Sequence, residues 1–162
     1  MQLLISDTNI LIDLEEGGLM EELFRLPYEF TVPDILFAEE LEAQHSHLLD
    51  MGLLQGELAS ATLQYAVELI QRSVGVSRND CFALALARQE QCPLLTGDQQ
   101  LRNVAGREGV IVMGTLWVVT QLVRHLVITK EEAKASYRRM RENGRRLPWD
   151  LALRSLDELD LT

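Results

Sequence analysis

Two apolar runs of this chain end in an aspartate: "LLISD" closes at Asp7 and "PLLTGD" closes at Asp98. An unpartnered buried carboxylate is expensive, so an acid there needs a hydrogen-bond partner, a cation or an exit to a cleft. Two further acidic positions border apolar segments. Asp80 directly precedes "CFALALA", and Glu39 and Glu40 follow the apolar run 35–38 in "VPDILFAEEL". Each has a structural explanation when taken singly; Asp80, for example, complements a helix dipole, worth less than about 1 kcal/mol when exposed. As a set they describe an acidic cluster that is tolerable only with a neutralising cation. Oxygen ligands without histidine or cysteine favour Mg²⁺ or Mn²⁺ over zinc, with Asp7, Asp80 and Asp98 as the ligand candidates.

The elements that must position these acids alternate along the chain. "QLLISD", "EFTVP", "CPLLTGD" and "VIVMG" read as strands. Between them the spacing predicts helices from Thr8 to Leu14 with Thr8 or Asn9 as cap, over "MEELFRL", from Asp34 to about His47, and from Glu57 to Arg72. Further helices are expected over "SRNDCFALALARQEQ" capped by Ser77, "QQLRNVAGREG", "TLWVVTQLVRHLV" and "TKEEAKASYRRMRENG". Thr129 and Glu132 of the last form a capping-box pattern, with Gly144 as its stop. Alternation of this kind implies an α/β fold, a parallel sheet with helices on both faces. Ligands of such sheets bind outside the carboxyl ends of the strands, where Asp7 and Asp98 are delivered.

Composition bounds the reading. A chain of 162 residues with 47% hydrophobic and 25% charged residues has the makeup of one ordinary globular domain. No run is long and apolar enough to span a bilayer, and "MQLLISD" meets charge too early for a signal peptide, so a cytoplasmic protein is expected. Cys81 and Cys92 have no metal-ligand spacing and read as reduced thiols, Cys81 as core filler. The net charge of -10 argues against gripping nucleic acid over the whole surface. Charge is unevenly spread, however. Residues 130–146 hold seven of the 15 basic side chains and three of the 25 acidic ones, leaving eight basic and 22 acidic elsewhere. That segment reads as a solvated helix face or as a patch for a polyanion or acidic partner.

Taken in order, "ISDTNILIDL", "VPDILFAEEL" and "SRNDCFALALARQEQCPLLTGDQQLR" resemble the successive motifs of the PIN-domain ribonucleases, and among them the VapC-like toxins of prokaryotic toxin–antitoxin modules. The resemblance covers residues 1 to about 127. It implies a three-layer α/β/α architecture around a mainly parallel sheet: a catalytic domain over 1–127, with 128–162 as a helical extension packed on it. It also implies a Mg²⁺- or Mn²⁺-dependent endonuclease that hydrolyses RNA phosphodiesters, an antitoxin partner and a symmetric homodimer. The family pattern places the catalytic acids at Asp7, Glu39, Asp80 and Asp98, with Thr96 in support. "AEEL" departs from it by offering two glutamates: Glu39 aligns by the residues before it and Glu40 by the leucine after it. The C-terminal helical tail, longer than a minimal domain of this type, is the other departure.

Under this reading the ion polarises the phosphodiester and activates the attacking water. Thr96 would hydrogen-bond a cluster carboxylate, and Asn9 would contact Asp7 or a phosphate, unless both serve only turns and caps. Arg78 and Arg102 are candidates for phosphate contacts against the simpler role of surface arginines. Lys134, Arg138 and Arg141 fall near one helix face and would form a basic stripe for RNA. His45 and His47, two apart on different faces of a continuous helix, make poor joint ligands. Trp117 and Trp149 read as packing anchors, and Asp13 and Asp34 as solvent-facing. Two other classes compete. One is a PIN-like module that binds RNA or protein without cutting, which retention of all the acids disfavours. The other is a phosphoacceptor domain, which would pair two acids after its first strand and place a lysine near its last; this chain does neither.

Overall fold

The computed structural model describes residues 1–161. Its centre is a five-stranded, wholly parallel sheet of β1 (Gln2–Ser6), β2 (Tyr28–Pro33), β3 (Leu54–Gly56), β4 (Leu94–Leu95) and β5 (Val112–Met113), in the order β3-β2-β1-β4-β5. β1 is the middle strand, with Ile5 opposite both Thr31 of β2 and Leu94 of β4. The first three strands are therefore laid down to one side of β1 and the last two to the other, so the direction of winding reverses between β1 and β4. β3 was not foreseen: "LQG" lacks β-branched residues and is a strand only as a short edge beside residues 31–33.

The helices are α1 (Thr8–Glu16), α2 (Met20–Leu23), α3 (Asp34–Leu36), a π-helical turn over Phe37–Leu41, α4 (Glu42–His45), α5 (His47–Met51), α6 (Ser60–Arg72), α7 (Arg78–Glu90), α8 (Gln99–Arg107), α9 (Thr115–Arg124), α10 (Lys130–Glu142) and α11 (Trp149–Asp157). α7 packs directly on β1, β2 and β4, with α3, α6 and α8 around it. All residues from Cys81 to Ala87 are buried, as a helix inside a three-layer fold requires, and Ala83, Ala85 and Ala87 keep it close to its neighbours. A second group gathers α1 with α2, α9 and α10, and α11 with α9 and α10.

Local signals explain most boundaries. Thr129 and Glu132 make both halves of the capping box, Ser77 accepts the Asp80 amide, and Gly144 follows α10 at φ +83°. Three expectations are corrected. The cap of α1 is Asp7, rather than Thr8 or Asn9. The helix beginning at Asp34 stops at His45 and α5 starts afresh at His47, so the two histidines are not on one continuous helix. Asp13 does not face solvent; it is 6% exposed, ion-paired with Arg145 at 2.6 Å and hydrogen-bonded by Thr115 Oγ1 at 2.7 Å. A buried carboxylate survives there because it is paired on both oxygens.

The end of α10 and the turn after it are tied to α1 by Arg139, Asn143 and Arg145. Arg139 donates to the Gly17 carbonyl at 2.9 and 3.2 Å, placing a cation on the C-terminal end of α1. Gly17 lets α10 approach: a Cβ there would stand 2.6 Å from Met140 Cε. Trp149 packs edge-on to Tyr137 and joins α11 to α10. Among the described residues no helix is long and apolar enough to cross a membrane.

Candidate active site

Asp7 and Asp98 stand at the carboxyl ends of β1 and β4, on either side of the point where winding reverses, which is where open α/β sheets form a crevice. Both aspartates are also helix caps. Asp7 Oδ1 accepts the Ile10 amide at 3.0 Å, and Asp98 Oδ1 accepts the Leu101 amide at 3.0 Å. In each case one carboxylate oxygen is taken up by the cap. The second oxygen of Asp7 accepts the Thr96 hydroxyl at 2.5 Å, and that hydroxyl accepts the Asp98 amide at 3.1 Å. A single chain of hydrogen bonds thus fixes Asp98 relative to Asp7 through a fully buried threonine.

The electrostatics bind a third and a fourth acid to this pair. Burial is the main force raising the Asp7 carboxyl to about 6, partly opposed by Thr96 and the Ile10 amide, with the charges of Asp80 and Asp13 adding to the rise. Asp80, in the first turn of α7, is also pushed up, mainly by burial and then by the charges of Asp98 and Glu40. Asp80 therefore stands within electrostatic reach of each of the other three, Asp7, Asp98 and Glu40.

Glu39 is engaged elsewhere. It ion-pairs with Arg78 and accepts the Asn79 side-chain amide at 3.0 Å, and these contacts hold its carboxyl below the usual range. Of the two adjacent glutamates, Glu40 is the one whose charge acts on Asp80. Both lie within the π turn, a feature that often accompanies functional sites.

Beside the acids runs a groove of about 690 Å³. Asp98 and Asn9 stand on its border with the cluster, and its cations are Arg102, Arg145 and Arg146. Arg102 also donates to the Thr96 carbonyl at 3.3 Å. Arg145 reaches Asn9 at 3.3 and 3.4 Å besides Asp13, so Asn9 is held by the tail and not by Asp7. The expected stripe lies away from the groove. Lys134 is paired with Asp157 at 3.1 Å and Glu131 at 3.7 Å, Arg141 lies over the Trp149 ring at 5.9 Å, and Arg138 is exposed outside the lining. Arg78, held by Glu39, also sits over Phe82 at 5.7 Å. The sequence reading of Asp13 as solvent-facing missed its pairing with Arg145. The signal was present, since Asp13 lies on the apolar side of α1 with Ile10 and Leu14.

The family model described as PIN domain (DUF3368) matches residues 3–160, nearly the whole chain. Among solved structures, a PilT N-terminus domain protein, SSO1118, from the archaeon Sulfolobus solfataricus P2 is similar with a TM-score of 0.54 and 12% identity, over 75% of this chain and 94% of that one. A chain of VapBC2 from Rickettsia felis, solved bound to a DNA fragment from their promoter, is similar with a TM-score of 0.50 and 16% identity, over 70% of this chain and 98% of that one. No curated protein matches. At these identities the structures establish a shared fold.

Proposed function

This chain belongs to the PIN-domain family, and from that premise we propose that it is a divalent-metal-dependent ribonuclease, the toxin of a toxin–antitoxin pair. The observation that carries the reading is the coupling of Asp7, Asp80, Asp98 and Glu40 at the switch point of the sheet, with Asp7 raised to about 6. Three carboxylates within electrostatic reach of Asp80 suit a hard divalent ion, and the all-oxygen donor set suits Mg²⁺ or Mn²⁺. Asp7, Asp80 and Asp98 would hold it, with Glu40 in preference to Glu39 as the fourth acid. Such an ion supplies Lewis-acid stabilisation of the charge that develops on a phosphodiester during hydrolysis.

The chain's own groups do the rest. The helix caps and Thr96 fix the carboxylates before substrate arrives, so little reorganisation is left for the reaction. Glu40, exposed and within electrostatic reach of Asp80, would orient a water. Arg102 and Arg146 offer positive charge along the groove to a backbone that the acids themselves repel. In this reading residues 1–127 form the catalytic unit, and 128–162 contribute Arg145 and Arg146 to its groove. An antitoxin protein as partner is supported by the VapBC2 likeness. A homodimer would use the exposed Leu63 and Val67 of α6, one turn apart; light scattering that returns a particle of 18.4 kDa would refute it.

The deciding experiment incubates the purified chain with RNA and Mn²⁺ beside its Asp7→Asn variant. Cleavage by the parent alone supports the proposal. RNA binding without cleavage by either would make this a non-cutting module.

A further inference from the structure

We propose that Glu15, His45 and His47 form a second metal site, one that takes a single ion of the Zn²⁺ class. Glu15 lies in the last turn of α1, eight residues from Asp7 and so roughly 12 Å along the helix from the aspartate cluster. His45 ends α4 and His47 begins α5, with Ser46 as the elbow between them. The elbow turns both rings to the same carboxylate. His45 Nδ1 is 2.8 Å from Glu15 Oε2, His47 Nε2 is 2.8 Å from Glu15 Oε1, and the three donor atoms all lie within 4.8 Å of one another.

Hydrogen bonding accounts for His47 but not for His45. The Nδ1 of His45 is buried and makes no hydrogen bond, although a Glu15 carboxylate oxygen stands 2.8 Å away. Two imidazole nitrogens and one carboxylate, with a further position open to water, make a three-ligand zinc set. Imidazole donors also separate this site from the aspartates by chemistry, since they suit zinc and its neighbours where carboxylates suit magnesium. The side chains are partly accessible, 30% for Glu15, 21% for His45 and 49% for His47, so an ion can enter from solvent. Bound there, it staples the end of α1, whose first turn is capped by Asp7, to the segment that carries Glu40.

The test uses the full, untagged chain carrying Asp7→Asn and Asp98→Asn, which disables the aspartate cluster. It is stripped with chelator and titrated with Zn²⁺ in the presence of excess Mg²⁺. One Zn²⁺ per chain is expected by calorimetry and metal analysis, with a rise in thermal midpoint, because an ion that binds only the folded chain stabilises it. Adding His47→Gln, a change at an exposed ring that leaves the fold in place, should weaken Zn²⁺ binding by at least about ten-fold, and His45→Gln with it should abolish the midpoint rise. Failure of the double-aspartate chain to bind Zn²⁺, or unchanged affinity and stoichiometry in the His47→Gln chain, overturns the proposal. Neither result depends on whether the protein cuts RNA.

Discussion

Asp7 serves two ends at once: it caps α1 with one oxygen and presents a buried negative charge with the other. Its carboxyl is raised to about 6 from 3.8, so between those values the folded chain binds more protons than the unfolded one. In the metal-free protein this contribution is present below about pH 4, falls as pH rises and is lost above pH 6. Thermal melts in chelator should therefore show stability declining across that window, and Asp7→Asn should flatten the decline. At roughly 1.4 kcal/mol per pKa unit, the variant should gain up to about 3 kcal/mol at pH 7 without metal while losing cleavage. A divalent ion reverses the preference, so metal uptake should improve as pH rises through 6. Thr96→Val offers a second check. It strands the Asp7 oxygen and the Asp98 amide and should cost about 1–3 kcal/mol by denaturant unfolding, with metal uptake moved to higher pH. Asp7, Thr96 and Asp98 were legible as residues because acids that end apolar runs stand out. Their double duty as caps was not, since "SDTN" offers several capping side chains in a row.

At the scale of elements, the parallel sheet and its flanking helices followed from the alternation of apolar periods. What escaped was phase. A period of 3.6 residues locates a helix but not the angular setting of "AEEL" inside a π turn, and the resemblance favoured Glu39, with Glu40 as the other candidate. Glu40→Gln should lower the cleavage rate by two orders of magnitude or more if it orients the attacking water. Glu39→Gln should leave the rate within a few-fold, because it removes an exposed pair with Arg78. Single-turnover kinetics on both variants decides between them; the reverse ranking would return Glu39 to the site. Likewise, the apolar residues Leu23, Leu26 and Phe30 of "ELFRLPYEF" are buried in the chain's own core, which the composition of the stretch does not reveal. Composition reports how much apolar surface there is and not which way it turns.

For the whole molecule the question is where positive charge meets the acids. The sequence identified residues 130–146 as the basic segment, and the fold divides that segment in two. Lys134, Arg138 and Arg141 lie outside the groove, while Arg145 and Arg146, past the Gly144 turn, join Arg102 along it. Arg145 is a poor probe, because removing it would strand buried Asp13, at a cost of about 3–5 kcal/mol. Arg102→Gln with Arg146→Gln avoids that loss. In an Asp7→Asn background that does not cut, this pair should weaken single-stranded RNA binding. The salt dependence should also flatten by about 0.7 for each phosphate no longer neutralised, close to 1.4 for two. Lys134→Gln, Arg138→Gln and Arg141→Gln together should leave both affinity and slope unchanged. Binding measured by fluorescence anisotropy over a series of salt concentrations separates the two surfaces. If instead the triple variant weakens binding and the pair does not, RNA runs along α10, and the groove beside Asp98 serves another ligand.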